Sequence, residues 1–311
     1  MYKRQGLRFS YFQALEKDSS NIDLDSNIVG LVSAKEYFGL EPRLSVRYLL
    51  SDTWSAKASY AKMRQNIHLL SNSSVGFPSD LWLPAVDAAP SQNSQQIAAS
   101  INTELLNGEI EVSLEGYYKT MNNLITYEAG YSNLQSTESW ENSIETGGEG
   151  ESYGLELFIQ KQKGKTTGWI GYTLSWSNRK FDNLNTGNWY PYKYDRRNDL
   201  SIVLNHKFSD KWDCGLTWVF GTGNAITFPR STYFSTLQDG RYDNFYVWNI
   251  ESYGDRNSVR LPSYHRLDFG INRHSQKKNY KGTWSFGAYT LYHSKNPFFA
   301  YLACHNTRGV G

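Results

Sequence analysis

Ile110-Glu111-Val112-Ser113-Leu114-Glu115-Gly116-Tyr117-Tyr118-Lys119 alternates between two kinds of side chain. Ile110, Val112, Leu114, Gly116 and Tyr118 fall on one side, and Glu111, Ser113, Glu115, Tyr117 and Lys119 on the other. Side chains of a strand point to opposite faces in turn, so this stretch reads as a ribbon with one greasy and one polar face. Asn107-Gly108 precedes it, a tight-turn signal, and 95–106 before that alternates more weakly. The pattern recurs. Tyr153, Leu155, Leu157 and Ile159 oppose Gly154, Glu156, Phe158 and Gln160. Ile170, Tyr172, Leu174 and Trp176 oppose Gly171, Thr173, Ser175 and Ser177. Leu200, Ile202, Leu204 and Phe208 oppose Ser201, Val203, Asn205 and Lys207, while Trp212, Cys214, Leu216, Trp218 and Phe220 oppose Asp213, Gly215 and Thr217. With weaker segments at 6–14, 41–50, 54–64, 264–273 and 282–293, this makes about eleven strands, most longer than the usual five or six residues. No segment sustains a helical period.

The connectors alternate in length. Short ones are Ser51-Asp52-Thr53, Asn107-Gly108, Lys163-Gly164-Lys165 and Ser209-Asp210; long ones run roughly 66–91, 128–149, 181–196 and 223–262. In an up-and-down antiparallel sheet every second connector lies at the same end. Tight turns on one rim and long loops on the other are the arrangement of outer-membrane β-barrels. On this reading 15–40 is a further outer loop, and the polar, basic 275–281 is a longer turn on the short side. Trp54 and Trp212 follow tight turns and Trp284 follows 275–281, the level at which amphipathic rings meet a membrane interface.

Composition agrees. The chain has 311 residues, only 39% of them apolar but 15% aromatic, with 23 tyrosines. A barrel wall needs greasy side chains on one face only. No run approaches the ~18 apolar residues of a spanning helix, whereas tilted strands of about ten residues can cross. A net charge of +2 gives no reason to expect nucleic acid. Cys214 and Cys304 are too few for a disulfide framework and lack metal-ligand spacing. An odd strand number does not close a standard bacterial barrel, and an open edge in lipid costs several kcal/mol per unpaired group. The expectation is therefore that further strands lie outside this sequence, with 1–5 and 303–311 as fragment edges.

Several stretches carry a family likeness. They are Glu41-Pro42-Arg43-Leu44-Ser45 with Arg47-Tyr48, Glu115-Gly116-Tyr117-Tyr118-Lys119, Ser152-Tyr153-Gly154-Leu155-Glu156-Leu157 and Gly171-Tyr172-Thr173-Leu174-Ser175. Further ones are Tyr194-Asp195-Arg196-Arg197-Asn198-Asp199, Pro262-Ser263-Tyr264-His265-Arg266-Leu267-Asp268 and Asn296-Pro297-Phe298-Phe299. In order and spacing the chain resembles the C-terminal half of the barrel of TonB-dependent outer-membrane receptors, especially those of Bacteroidota. The resemblance implies one all-β domain over 1–311, an antiparallel up-and-down transmembrane barrel of which this is about half, in a family whose barrels have 22 strands around a plug. It implies a bacterial outer-membrane location. It implies contact with outer-membrane lipid, with the protein's own plug domain, which has no counterpart in this sequence, and through that plug with the TonB–ExbB–ExbD complex. A surface lipoprotein lid is a further partner of some such importers.

Two sets of residues stand out as candidate sites. Arg43, Arg47, Glu111, Glu115, Glu156, Arg266 and Asp268 lie opposite the apolar stripe and read as a charged lining facing a lumen or plug. Trp82, Trp140, Trp189, Tyr190, Tyr242, Tyr246 and Trp248 fall in the long loops, where exposed rings offer rigid area for flat ligands or sugars. The 223–262 loop is the densest in aromatics. No catalytic set emerges: His265 and Asp268 diverge on a strand, so Ser263, His265 and Asp268 make no local triad. Asp23 and Asp25 read as a solvated acidic loop rather than a calcium site, Gly147-Gly148-Glu149-Gly150 reads as loop punctuation, and no cofactor or metal is expected. The function expected is capture of a scarce, bulky solute (a metal chelate, a vitamin-like cofactor or an oligosaccharide) for energised import. The alternatives are a self-contained outer-membrane barrel, porin or adhesin, and a secreted carbohydrate-binding β-protein.

Overall fold

The alternation read from sequence becomes one continuous antiparallel wall. The computed structural model describes residues 1–17, 31–70, 80–128, 140–238, 245–277 and 280–297. In chain order the strands are β1 (Tyr2–Lys17), β2 (Leu31–Leu49), β3 (Trp54–Gln65), β4 (Ile67–Leu70), β5 (Leu81–Pro84) and β6 (Gln92–Leu105). They continue with β7 (Ile110–Tyr127), β8 (Ile144–Lys161), β9 (Thr166–Lys180), β10 (Tyr190–Pro191), β11 (Asn198–Ser209) and β12 (Trp212–Gly221). The last are β13 (Ala225–Ile226), β14 (Pro229–Gln238), β15 (Phe245–Tyr253), β16 (Val259–Arg260), β17 (Tyr264–Lys277) and β18 (Tyr280–Ala288). The wall runs β1-β2-β3-β6-β7-β8-β9-β11-β12-β17-β18, eleven strands in sequence order, with β10 added on β9. Among the described residues, β1 and β18 are each paired on one side only.

Register sorts the faces. Tyr60 pairs Ile97, Ile97 pairs Tyr118, Tyr118 pairs Tyr153 and Tyr153 pairs Trp176. Directly opposed residues share a face, so this is one row across five strands. Its rings touch, with centroids 6.2 Å apart for Tyr118–Tyr153 and 5.4 Å for Tyr153–Trp176. Towards the long-loop end the next row on that face turns polar: Lys62, Gln95, Thr120, Glu151 and Asn178. Towards the tight turns it stays apolar through Ala58–Ala99–Gly116–Leu155 and Ala56–Ile101–Leu114–Leu157, until Lys161 opposes Ile110. From Glu151 to Lys161 on β8 is about 33 Å along the strand, or about 24 Å along a membrane normal at a tilt near 45°. That matches the ~25 Å apolar band of an outer-membrane barrel. Trp54, Trp212 and Trp284 are exposed on the same face near the tight turns.

Several boundaries differ from the sequence reading. The strand expected at 41–50 starts at Leu31, because β1 runs to Lys17 and pairs it throughout, with one bulge at Ala14/Leu15. The segment 128–149 is not all loop: β8 starts at Ile144 and takes in Gly147–Gly150. Gly148 is needed there, since a Cβ would clash with the Phe181 ring. The 275–281 connector shortens, because β17 and β18 pair as far as Lys277 and Tyr280, and β18 ends at Ala288 rather than 293. The 66–91 loop carries the β4–β5 hairpin, and 223–262 carries two ladders, β13–β16 and β14–β15. Asp23, Asp25, Cys304, Phe298, Phe299 and 303–311 lie outside the described residues.

Candidate functional site

The face opposite the apolar stripe carries the charge. Arg47 pairs Lys57, then Ser100, Glu115, Glu156, Thr173 and Asp199 follow in one cross-strand row. A second row holds Glu104, Glu111 and Gln160. Glu41 is 3% exposed and lies between Arg8 Nη1 at 3.9 Å and Arg43 Nη2 at 3.6 Å. Arg47 Nε donates to Ser55 Oγ at 3.2 Å, and Arg266 Nε donates to Asp268 Oδ2 at 2.9 Å. A depression of about 800 Å³ opens on the other side of the wall, over Ala58, Ala99 and Gly116, away from these charges.

At the long-loop end two connectors, 181–197 and 222–263, and the end of β7 are tied together. Asp195, whose side chain is fully buried, accepts from Ser177 N at 2.7 Å and from Arg197 Nη2 at 3.3 Å, and also bonds Arg260 Nη2. Arg260 Nη1 donates to the Asp195 carbonyl at 2.7 Å. Arg256 reaches the end of β7, with Nη2 at 3.0 Å from Thr126 Oγ1 and 3.3 Å from the Tyr127 carbonyl. Asn257 Nδ2 donates to the Pro191 carbonyl at 2.9 Å. Phe181, Leu184, Tyr190 and Leu124 form the apolar centre of this rim. A second small core, Leu70, Leu83, Ala89, Ile125 and Tyr127, seats the β4–β5 hairpin, and Tyr37 Oη ties it to β2 through the Val86 carbonyl at 3.0 Å. Over the rim lie cations on rings: Arg179 Cζ is 3.5 Å from the Tyr192 centroid, Lys193 Nζ 4.9 Å from Tyr194 and Arg256 Cζ 5.6 Å from Tyr190. Burial holds the Lys193 ammonium down at about 8, with Asp80 opposing the drop and Arg179 and Arg256 adding to it. Burial also raises Tyr190 and Tyr194.

The eleven-strand wall, its band and its one-sided loops agree with a direct match. The family described as TonB dependent receptor-like, beta-barrel matches residues 5–291. The chain belongs to this family. It is an outer-membrane β-barrel protein of a family of transport receptors. Solved receptors share its fold at low identity. The ferric citrate transporter FecA, unliganded, superposes with a TM-score of 0.56 at 12% identity, over 94% of this chain and 38% of that one. The ferric-catecholate import receptor Fiu of E. coli K12 gives 0.54 at 12%, over 94% and 38%. The alcaligin receptor FauA of Bordetella pertussis gives 0.51 at 13%, over 92% and 39%. The chain thus spans under two-fifths of each of these receptors. No curated protein matches it.

Within this receptor wall, the seven charged residues picked from sequence share the polar face. Arg43, Arg47, Glu111, Glu115 and Glu156 lie on β2, β7 and β8, while Arg266 and Asp268 stand apart on β17. The loop aromatics separate. Trp189 is 45% exposed and Trp82 is exposed as well. Tyr190 is 3% exposed inside the rim, and Trp140 packs against the second core. Tyr246 and Trp248 fall on β15, opposite Leu237 and Ser235, and Tyr242 lies outside the described residues. Sequence reasoning missed Arg179, Lys193 and Arg256. The signal for one of them was present, since Lys193 interleaves with aromatics in Tyr190-Pro191-Tyr192-Lys193-Tyr194.

Proposed function

We propose that this chain is the C-terminal part of the barrel of an energised importer, with 1–311 supplying wall and capture rim and other sequence supplying the remaining strands and the plug. The observation that carries the reading is the rim. Buried Asp195 and the Arg256 guanidinium lock two connectors and the end of β7 together, over strands whose polar face is charged from Arg47 to Glu156. Such a rim holds rings and cations in fixed positions above a polar interior, which suits capture of a large polar solute. The apolar band contacts outer-membrane lipid, and the plug contacts the TonB–ExbB–ExbD complex, which supplies the force. A metal chelate leads the solute classes, because ferric citrate and ferric catecholate are the solutes that the names of two similar receptors carry.

The test is uptake by cells carrying the full-length receptor gene, offered a panel of labelled ferric chelates, cobalamin and oligosaccharides. Saturable uptake of one of them that disappears when TonB is deleted is the expected result. Uptake that is linear in concentration and indifferent to TonB makes the protein a passive porin and removes the importer reading.

A further inference from the structure

The rim of tight turns changes its charge along the wall. The β2–β3 and β6–β7 turns carry Asp52 and Glu109 and no cation. The β8–β9 and β11–β12 turns carry Lys163, Lys165 and Lys211, and Arg273, Lys277 and Lys281 flank the last hairpin. Among the described residues, none of these six cations forms an ion pair. Arg273 and Lys277 also lie on the apolar face. The last apolar row there is Cys214–Ile271–Phe286, and the next is Trp212–Arg273–Trp284. Arg273 is exposed between two exposed tryptophans, with Cζ 5.7 Å from the Trp212 centroid. Two rows further out Lys277 opposes Tyr280, with Nζ 5.4 Å from that ring. The row between them is Ser275–Gly282, which offers one hydroxyl and no second side chain.

We propose that Arg273 and Lys277, with Ser275 between them and Trp212, Trp284 and Tyr280 beside them, form a binding site for the phosphate of an anionic phospholipid in the leaflet on the tight-turn side. Four residues of β17 separate the two cations, about 13 Å along the strand, or about 9 Å along the membrane normal at a tilt near 45°. They bracket a headgroup layer that is about 5–8 Å deep. Tryptophan settles at the hydrocarbon boundary unaided, whereas a guanidinium placed there without a carboxylate is matched by phosphate oxygens, which fit its fork of donors. Lys277 adds a point charge on the water side. The occupant is a lipid because the site runs straight into the apolar band: Ile271 and exposed Phe286 follow Arg273 and Trp284, in line for the acyl chains. Lys163, Lys165 and Lys211 extend the attraction for anionic headgroups along the same sector, and each such cation near an anionic surface strengthens binding about fivefold. The site does not depend on import, since a passive barrel with this wall would carry it too.

The experiment uses the purified full-length receptor in detergent micelles doped with phosphatidylglycerol or phosphatidylcholine, with retained lipid counted by native mass spectrometry. Expected is retention of phosphatidylglycerol about tenfold better than phosphatidylcholine at low salt, with a loss of about fivefold in Arg273→Gln and again in Lys277→Gln. Arg273→Lys keeps the charge without the fork and should lose less, which separates loss of the site from misfolding. Glycerol 3-phosphate, the headgroup chemistry without chains, should not displace the lipid at equal concentration. Equal retention of the two lipids by the wild type overturns the site, and so does a preference that survives both glutamine variants. Displacement by glycerol 3-phosphate makes it a site for soluble phosphates and overturns the lipid assignment. Binding of polyglutamate through Arg273 and Lys277, with no preference between the lipids, makes the patch a dock for an acidic protein and overturns it as well.

Discussion

Arg260 and Asp195 are 65 residues apart in the chain and meet at the rim. One guanidinium nitrogen donates to the Asp195 backbone carbonyl at 2.7 Å and the other bonds its buried carboxylate. This pair fastens the segment 222–263 to the turn that leads into β11. Replacing Asp195 by Ala strands Arg197 and Arg260, each about 30% exposed. Breaking a buried pair costs about 3–5 kcal/mol, and the partial exposure of both arginines puts this one near the lower end. Limited trypsin digestion of the full-length receptor should show cleavage within 222–263 rising at least several-fold, with the barrel resistant. Unchanged digestion would remove Asp195 as the fastener.

The register makes a sharp contrast between neighbours on β7. Leu114 is exposed on the apolar face between Ile101 and Leu157, and Ser113 is on the polar face between Asn102 and Phe158. Leu114→Arg should destabilise the refolded receptor in phospholipid by about 2–4 kcal/mol, and Ser113→Arg by less than about 1 kcal/mol. Denaturant midpoints measure both. Equal penalties would mean that the stripe does not face hydrocarbon.

Much of this was legible in advance. A period of two fixes which side chains share a face, and an apolar stripe on one face repeats it along each strand, so the eleven wall strands and the charged face of Arg47, Glu115 and Glu156 could be read directly. Strand ends could not. Beyond the band both faces meet water, and no hydrophobic rule marks where Leu31 begins β2 or where β14 and β15 pair. The rim cations were hidden for another reason. Arg179 looks like the end of a strand and Arg256 like an ordinary loop charge, and only the packing of β9 against two separate connectors brings them to two tyrosines of one short segment, Tyr192 and Tyr190.

Gly148 and Phe181 form a lock in which one lacks a side chain so that the other can lie flat. Gly148→Ala should push the ring out of its contacts with Leu124, Leu184 and Tyr190, costing about 1–3 kcal/mol. Phe181→Leu alone should cost a similar amount, but the two together should cost less than their sum. A double-mutant cycle on thermal unfolding checks this, and strict additivity would show that the two do not interact.

Glu115 and Glu156 face each other directly across β7 and β8. Opposed like charges are destabilising by roughly 0.2–1 kcal/mol. Glu156→Gln should therefore raise the urea midpoint slightly, and Glu156→Lys should raise it further by pairing Glu115. A fall in both would mean that Glu156 is held by a cation elsewhere in the complete receptor.

Trp189 and Tyr190 are adjacent yet differ in exposure, 45% against 3%. Trp189→Ala should change solute affinity while leaving rim stability within about 0.5 kcal/mol, whereas Tyr190→Ala should loosen the rim by about 3 kcal/mol or more. Hydrogen exchange over 181–197 separates the two. The opposite ranking would exchange their assignments.

The row from Arg47 to Glu156 sorts its charges by strand. Arg47 and Lys57 sit on β2 and β3, and Glu115 and Glu156 on β7 and β8. With strands about 4.8 Å apart, these two banks are separated by roughly 10–20 Å, about one to two and a half Debye lengths in physiological salt, so each bank acts mainly on what lies directly against it. We expect a molecule with its own dipole, lying close against this row, to be turned with its negative end towards β2 and β3 and its positive end towards β7 and β8.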